Sequence, residues 1–303
     1  MVASGFALLL IFALAFWFSA ERLEQKPTWF LRLAVLGLPL PWIACEAGWF
    51  VAEYRLRNMS KWIGAIFAFG LGNPIMLLLS IGIGIGALID SSGNATLGSA
   101  PSYLVFLAPA LLASAAIQAA MDETSFPTMQ GFVWDKSFFA MNSTQLTGNA
   151  IVQGIMIASA IRCVLTVFMY EAILLAFGAI TWQSMPALTW TSILAGLAFA
   201  SAMLAVTSYV KQDDGFFAIV GRFVIAPMFM FSGTYYPLET LPPYLQWIGW
   251  VSPVWHGTDL GRTLAYEHPV AGLVMASHVI YPITITIIGL GIAYPKFTKR
   301  LAA

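Results

Sequence analysis

The sequence predicts an all-α integral membrane protein, and three observations support this fold class. Hydrophobic residues make up 59% of the 303 positions and charged residues only 9%, whereas a soluble domain carries about 25% charged residues. Eight apolar runs approach or reach the length that crosses a bilayer. The stretches between these runs are too short to form a soluble domain. The formal net charge is zero, so nothing indicates a nucleic-acid partner.

Two of the apolar runs come early, at residues 5–20 and 33–52, and they are the weakest candidate spans. The first is shorter than the roughly 20 residues that a spanning helix needs. The second contains Pro39, Pro41 and Glu46, and a carboxylate inside lipid needs a specific reason. The other six candidate spans are predicted at residues 63–89, 103–121, 150–180, 190–210, 216–231 and 271–293.

Basic residues predict the orientation of these six spans, because cytoplasmic loops are enriched in Lys and Arg. If residues 54–62 are cytoplasmic, only Arg262 falls outside, while Arg162 and Arg222 fall within spans. The remaining basic residues of this part all fall inside: Arg55, Arg57, Lys61, Lys136, Lys211, Lys296, Lys299 and Arg300. We therefore expect both ends of residues 54–303 in the cytoplasm.

The loop between the two early runs conflicts with this scheme. It carries Arg22 and Lys26, so the same rule places it inside. Two complete spans before Tyr54 would place it outside. Either the second early run does not cross fully, or the first 53 residues have a separate origin from the rest.

Residues 53–62 form a basic and aromatic flank just before the first of the six spans. Arg55, Arg57 and Lys61 are expected to reach lipid headgroups, with Trp62 at the membrane boundary. Alone, this pattern is also that of an ordinary basic flank. The following span contains a Gly-Asn-Pro sequence at 72–74 and glycines at 82, 84 and 86. Such small residues permit close helix packing.

A polar stretch follows the second of the six spans. A polar loop of this length between spans needs a purpose, although a solvated loop is the alternative. Its notable residues are Asp122, Glu123, Phe126, Trp134, Lys136, Phe138 and Met141.

Prolines and aromatic residues dominate the stretch before the last span. Pro237, Pro242 and Pro253 forbid one continuous helix, and the Tyr and Trp residues suit a membrane interface. The notable residues are Ser232, Gly233, Pro237, Pro242, Pro253, His256 and Arg262.

These four segments resemble the type-2 permeases of ABC exporters, in the branch of nodulation lipo-oligosaccharide exporters and antibiotic-efflux permeases. The resemblance covers residues 54–303 and implies a six-helix transmembrane domain in the bacterial inner membrane. In relatives, residues like 53–62 form an interfacial elbow helix. The polar stretch at 122–141 carries the coupling helix that docks on an ATPase, and the stretch at 232–262 forms re-entrant outer helices. The pattern departs from relatives at residues 142–145, which leaves the docking contacts open.

The resemblance also implies how such a protein works. Two identical or homologous permease subunits form the pathway between them, and cytoplasmic ATPase subunits bind ATP and Mg. The chain itself contains no Gly-x-x-x-x-Gly-Lys-Ser/Thr loop. It is therefore expected to be a transporter subunit and not an enzyme, with no cofactor of its own. The apolar and aromatic lining suggests a drug, lipo-oligosaccharide or glycolipid as cargo.

Residues 1–53 resemble a different protein, a two-span piece of subunit I of the cytochrome bd quinol oxidases. The run of residues 38–54 carries this resemblance. Trp49 and Glu53 match residues that lie at a haem in that family, with the Glu as its axial ligand. The match stops at Tyr54, so we expect a chimera formed by fusion or rearrangement, with parts 1–53 and 54–303. A haem-binding oxidase fragment is the alternative function, and a structural membrane subunit is a third.

The remaining candidates are isolated polar residues. His256, His268 and His278 are too far apart in sequence to predict a metal site. Arg162 and Glu171 fall nine positions apart in the third span. Charges in an apolar helix face protein or water, so these two either line a pathway or pair with another helix.

Overall fold

A computed structural model describes residues 46–91, 100–212, 215–266 and 272–302. The early run at 5–20, most of the run at 33–52, and His268 lie outside the described residues. Within the described residues the elements are helices joined by short turns, which confirms the all-α prediction.

The first helices cover the junction between the two resemblances. Helix α1 spans Glu46–Ser60 and continues without a break through position 54. A turn at residues 61–62 separates it from α2, Ile63–Leu77. The chain then continues as a π-helical segment, Leu78–Ile85, and ends in α3, Gly86–Ser91. Of the segment expected as an elbow at 53–62, residues 53–60 therefore form the second half of α1 and residues 61–62 the turn after it.

The middle of the chain alternates long helices with one compact segment. Helix α4, Tyr103–Thr124, begins where Ser102 caps the backbone N–H of Val105. The compact segment contains α5, Phe126–Met129, a π-helical turn, Gln130–Trp134, and α6, Ser137–Asn142. The two long helices that follow are α7, Gly148–Ala176, and α8, Met185–Tyr209.

The last part of the chain is broken at its prolines, as predicted. Helix α9, Phe216–Val220, a π-helical turn, Gly221–Ile225, and α10, Ala226–Phe231, form one continuous stretch. A turn at Gly233, whose φ is +71°, leads to a 3-10 turn after Pro237. Two short helices then begin at prolines, α11 at Pro243–Val251 and α12 at Pro253–Tyr266. The chain finishes in α13, Gly272–Leu301.

Five helical stretches of the described chain are long and apolar enough to cross a membrane. They are Ile63–Ile81, Tyr103–Trp134, Gly148–Ala176, Met185–Tyr209 and Gly272–Leu301. The sixth expected span is the shorter apolar stretch Phe216–Phe231. At about 1.5 Å per residue it measures roughly 24 Å, whereas the hydrocarbon core is about 30 Å thick.

Helices α4 and α8 form the centre of the bundle. In the apolar stretch of 18 residues that each provides, 78% of the residues of α4 and of α8 are buried, whereas the corresponding shares for α2 and α13 are 12% and 22%. Helix α8 packs against α4, α7, α12 and α13. The α8–α13 contact is very close, since a Cβ on Gly289 would lie 2.6 Å from the backbone carbon of Ser201. This arrangement leaves large faces of α2 and α13 for lipid or another subunit.

Candidate functional site

The end of α4 is joined to α1 by a buried arginine. Arg55 donates from Nε to Glu123 Oε1 at 2.8 Å and from Nη2 to the Glu123 carbonyl at 2.6 Å. Its Nη1 donates to the Pro127 carbonyl at 2.8 Å. The Arg55 and Glu123 side chains are only 6% and 4% exposed. One guanidinium therefore fixes the end of α4 and the start of α5 to α1.

This geometry corrects the expectation that Arg55 reaches lipid headgroups. The buried face of α1 carries Trp49, Ala52 and Leu56, and Arg55 lies on the same side, turned toward α4. Arg57 does point outward, with 76% of its side chain exposed and an ion pair to Glu53 at 2.7 Å.

Arg162 of α7 extends the ion pairs to a third helix. Its Nη2 lies 2.9 Å from Asp122 Oδ2 and its Nη1 lies 3.5 Å from Glu123 Oε2. Of the two alternatives for Arg162, the structure shows pairing with another helix, and the residue also lines a cavity. We call Arg55, Asp122, Glu123 and Arg162 the ion cluster.

Glu171 lies apart from the ion cluster. It is fully buried, and its Oε1 accepts a hydrogen bond from the Thr189 hydroxyl of α8 at 2.7 Å. It is not among the residues that line the cavity, and its hydrogen bond joins α7 to α8.

The predicted coupling residues divide into an exposed and a buried group. Phe126 and Trp134 are 47% and 56% exposed, and Lys136 is also exposed. Phe138 is fully buried, with its ring 5.1 Å from Phe132 and 6.3 Å from Phe297 of α13. Phe138 therefore anchors the segment to the bundle and cannot itself touch another subunit. Met141 is half-buried against the core.

A cavity of about 1000 Å³ opens beside the ion cluster. It is lined from α1, α2, α4 and α7, and it extends to residues 229–235 at the opposite end of the bundle. The charged lining residues are Arg55, Lys61, Asp122, Glu123, Asp135 and Arg162. All of them lie at the ion-cluster end, where the structure pairs Arg55 with Glu123 and Arg162 with Asp122.

Neutral polar groups line the cavity beyond the ion cluster. They are Asn73, Ser114, Thr166, Tyr170, Thr234 and Tyr235. The Ser114 and Thr234 hydroxyl oxygens are buried and have no hydrogen-bond partner among the residues that the structure describes. Buried polar atoms are normally hydrogen-bonded, so these hydroxyls offer free positions to a ligand or to water.

The two residues matched to a haem site do not form a haem pocket in the described part of the chain. Trp49 packs with Ala52 against Ile157 of α7, which fills the space on that face of α1. The Glu53 carboxylate pairs with Arg57 on the surface. The described residues therefore do not fit a haem at Glu53.

The segment before the last span is fastened by Arg262. This buried guanidinium donates to the carbonyls of Phe106 and Gly233 and lies 3.7 Å above the Phe106 ring. Ser232 is fully buried and donates to the Met228 carbonyl. These contacts hold the turn after α10 and α12 against the start of α4.

Sequence spacing missed one contact in this region. His256 of α12 and His278 of α13 lie 22 positions apart, yet their Nδ1 atoms are 2.9 Å apart. Asp259 Oδ2 lies 3.1 Å from His278 Nε2. In the described part of the chain, no group of three or more His, Cys, Asp or Glu is placed to hold a metal ion.

Two family models match the chain, and they overlap within α1. Residues 49–266 match the ABC-2 type transporter family. Residues 1–55 match cytochrome bd terminal oxidase subunit I. The residues common to both matches, 49–55, include Glu53 and Arg55.

Individual relatives repeat this division. The chain is 31% identical over 223 residues to Nodulation protein J of Rhizobium leguminosarum bv. trifolii, which covers 73% of this chain and 82% of that protein. It is 25% identical over 154 residues to a probable multidrug ABC transporter permease of Escherichia coli K12, covering 48% and 41% of the two chains. Cytochrome bd-II ubiquinol oxidase subunit 1 of Escherichia coli K12 is 43% identical over 54 residues, which is 18% of this chain and 10% of that protein. No solved structure matches the chain significantly.

Proposed function

Because this chain belongs to the ABC-2 type transporter family, we propose that it is the membrane-spanning permease subunit of an ATP-driven exporter. It is a multi-pass protein of the bacterial inner membrane. The proposed cargo is amphipathic or lipid-linked and moves out of the cytoplasm. The observation that carries the proposal is the ion cluster, which joins an exposed segment to the wall of a long cavity.

The segment at residues 125–142 is proposed to dock on the ATPase. Its exposed residues Phe126, Trp134 and Lys136 offer apolar and cationic contacts, while Phe138 holds the segment on the bundle. Movement of the segment is transmitted through the Pro127 carbonyl to Arg55, and through Glu123 to Arg162. Both arginines line the cavity.

The cavity supports an amphipathic cargo. A charge entering a low-dielectric space needs a partner there, and the charged lining residues lie only at the ion-cluster end. Beyond that end the lining offers hydroxyl and amide groups together with aromatic faces such as Tyr170 and Tyr235. A hydroxyl-rich or amide-rich head joined to an apolar tail fits this lining. The relative named a probable multidrug permease supports a hydrophobic drug as a second cargo class.

A second permease subunit is proposed to complete the pathway. Only 12% of the residues in the apolar stretch of α2 are buried within this chain. The same helix lines the cavity. A second copy or a homologue packed on this face would close the cavity. The stretch Phe216–Phe231 is proposed as the sixth span, with α11 and α12 as re-entrant helices on the outer side.

Purification from native membranes in mild detergent tests the coupling proposal. We expect a co-purifying ATPase that is lost when residues 126–141 are deleted. Trp134→Ala should reduce recovery of the ATPase, whereas Trp182→Ala, which alters a more exposed Trp outside this segment (74% against 56% exposed), should not. If the ATPase is recovered with Trp134→Ala and with the deletion as fully as with the unaltered protein, the partner docks elsewhere.

Reconstituted vesicles test the cargo. With the ATPase present, lipid-linked glycans and hydrophobic drugs should move in an ATP-dependent way, and small polar solutes should not. Transport of polar solutes only would rule out the amphipathic class. Absorbance of the same preparation tests the oxidase alternative that the match at residues 1–55 raises, because a bound haem gives a Soret band and a permease gives none.

A further inference from the structure

Arg300, near the end of α13, reaches the last turn of α8. Its Nη1 donates to the carbonyls of Thr207 and Ser208, at 3.3 Å and 3.2 Å. Helix α8 ends at Tyr209, so both carbonyls belong to the turn that lacks the usual intrahelical donors. A positive charge at this end of a helix also suits the helix dipole. Arg300 therefore caps α8 from a neighbouring helix.

The flat face of the same guanidinium lies on residues 125–142, which we call the docking segment. Its central carbon is 4.0 Å from the centroid of the Phe132 ring. This ring is 3% exposed, and it also lies 4.8 Å from the ring of Phe297, about one turn before Arg300 on α13. An arginine can stack on a ring while its in-plane N–H groups donate to carbonyls, which a lysine ammonium cannot do. Arg300 therefore joins the docking segment, α8 and α13 at one point.

The end of α8 also holds the start of the docking segment. The Thr207 hydroxyl donates to the Thr124 carbonyl at 3.0 Å, immediately before the segment begins. Lys296, one turn before Arg300 on α13, places its ammonium nitrogen 3.9 Å from the centroid of the Tyr209 ring. Two cations of α13 thus face the last turn of α8. These contacts are separate from the ion cluster, which joins the segment to α1, α4 and α7.

Close backbone contacts fix α13 to its neighbours. A Cβ on Gly289 would lie 2.6 Å from the Ser201 backbone of α8, and a Cβ on Gly148 of α7 would lie 2.9 Å from the Thr298 backbone. Packing as dense as this transmits a shift instead of absorbing it. A movement of the docking segment at Arg300 would therefore reach α8, at the centre of the bundle.

We propose that Arg300 is a positioning residue of the transport cycle, which fixes the docking segment to the ends of α8 and α13. The inference rests on the proposed docking of an ATPase on residues 125–142. It adds a second route for movement. The ion cluster leads to α1, α4 and α7, whereas Arg300 leads to α8 and α13. The guanidinium as a whole is required, and not its charge alone, because both its edge and its face are occupied.

Amide hydrogen exchange of the purified full chain in detergent tests the local part of the proposal without an ATPase. Arg300→Met should make exchange within residues 125–142 faster by about tenfold, and Arg300→Lys by less. Lys299→Met is the matched control. It removes the same charge from the exposed neighbouring position, and it should leave this exchange unchanged. Unchanged exchange with Arg300→Met, or an equal increase with Lys299→Met, would overturn the proposal.

Reconstituted vesicles that contain the ATPase test the role in coupling. Arg300→Lys should leave the thermal midpoint and the recovery of the ATPase close to those of the wild type, while transport per ATP hydrolysed falls severalfold. A residue that only supports the fold would lower transport and ATP hydrolysis together, in proportion to the loss of folded protein, and that result would contradict the positioning role. If the wild-type chain recruits no ATPase, the proposed function fails and the coupling role fails with it, even where exchange shows that Arg300 holds the segment.

Discussion

Replacing Arg55 by methionine should be the most damaging single substitution on α1. The guanidinium makes three hydrogen bonds, to Glu123 Oε1, the Glu123 carbonyl and the Pro127 carbonyl, and both side chains of the ion pair are almost fully buried. Removing one partner of a buried ion pair costs about 3–5 kcal/mol. We expect the lower end of this range, because Glu123 keeps Arg162 at 3.5 Å.

Arg57→Met provides a matched control on the same helix. The Arg57 side chain is 76% exposed and pairs with Glu53 one turn away, and such surface pairs contribute about 0.5 kcal/mol or less. Denaturant unfolding in mixed micelles measures both variants. Glu123→Gln, alone and combined with Arg55→Met, completes a double-mutant cycle. The loss of unfolding free energy in the double variant should be smaller than the sum of the two single losses by about 1–3 kcal/mol.

The same variants separate coupling from stability. If Arg55 transmits movement from the docking segment to the cavity, Arg55→Lys should retain ATP hydrolysis by the partner while transport falls. Lysine keeps the charge but lacks the planar fork that reaches three acceptors. Additive losses within about 0.5 kcal/mol, or equal damage from Arg57→Met, would refute the reasoning.

Three further substitutions test the packing. Gly289→Ala should cost about 1–3 kcal/mol in unfolding free energy, because its Cβ would meet Ser201 backbone at 2.6 Å, whereas Gly291→Ala, with nothing within 4 Å, should be tolerated. Phe138→Ala should lower the unfolding free energy by about 3–5 kcal/mol and detach residues 125–142 from the bundle. Faster proteolysis after residue 124 measures this detachment, and unchanged proteolysis would contradict the anchoring role. Glu171→Gln should leave the thermal midpoint unchanged or higher, since the described residues place no cation beside this buried carboxyl and a glutamine still accepts a hydrogen bond from the threonine hydroxyl; a large loss would reveal a charge requirement.

Composition and proline positions predicted most of the fold. An apolar run 20 residues long has few alternatives to a spanning helix, and Pro243 and Pro253 each begin a new helix where the sequence forbids a continuous one. The length of Phe216–Phe231 was also evident from the sequence. What the sequence could not decide was whether so short a stretch crosses the membrane.

The site was predicted less completely because its contacts join distant parts of the chain. Arg55 looked like any basic residue beside a span. Its burial depends on acceptors supplied 68 and 72 positions later by Glu123 and Pro127. His256 and His278 lie 22 positions apart, and their contact depends on the packing of α12 on α13, which brings their rings together. Local patterns identify which residues are polar but not which of them meet.

Helix α1 runs without a break through position 54, so the side chains before this position point in fixed directions relative to those after it. Trp49 and Ala52 precede the junction, Leu56 follows it, and all three face α7 and the core from one side of the helix. A helix turns by about 100° per residue. Removing one residue at the junction would rotate the preceding side chains by that angle, so that the face carrying Trp49 would leave α7 while Arg55 stayed in place. If the two parts have separate origins, joining them at this helix required a match of angular register as well as of sequence.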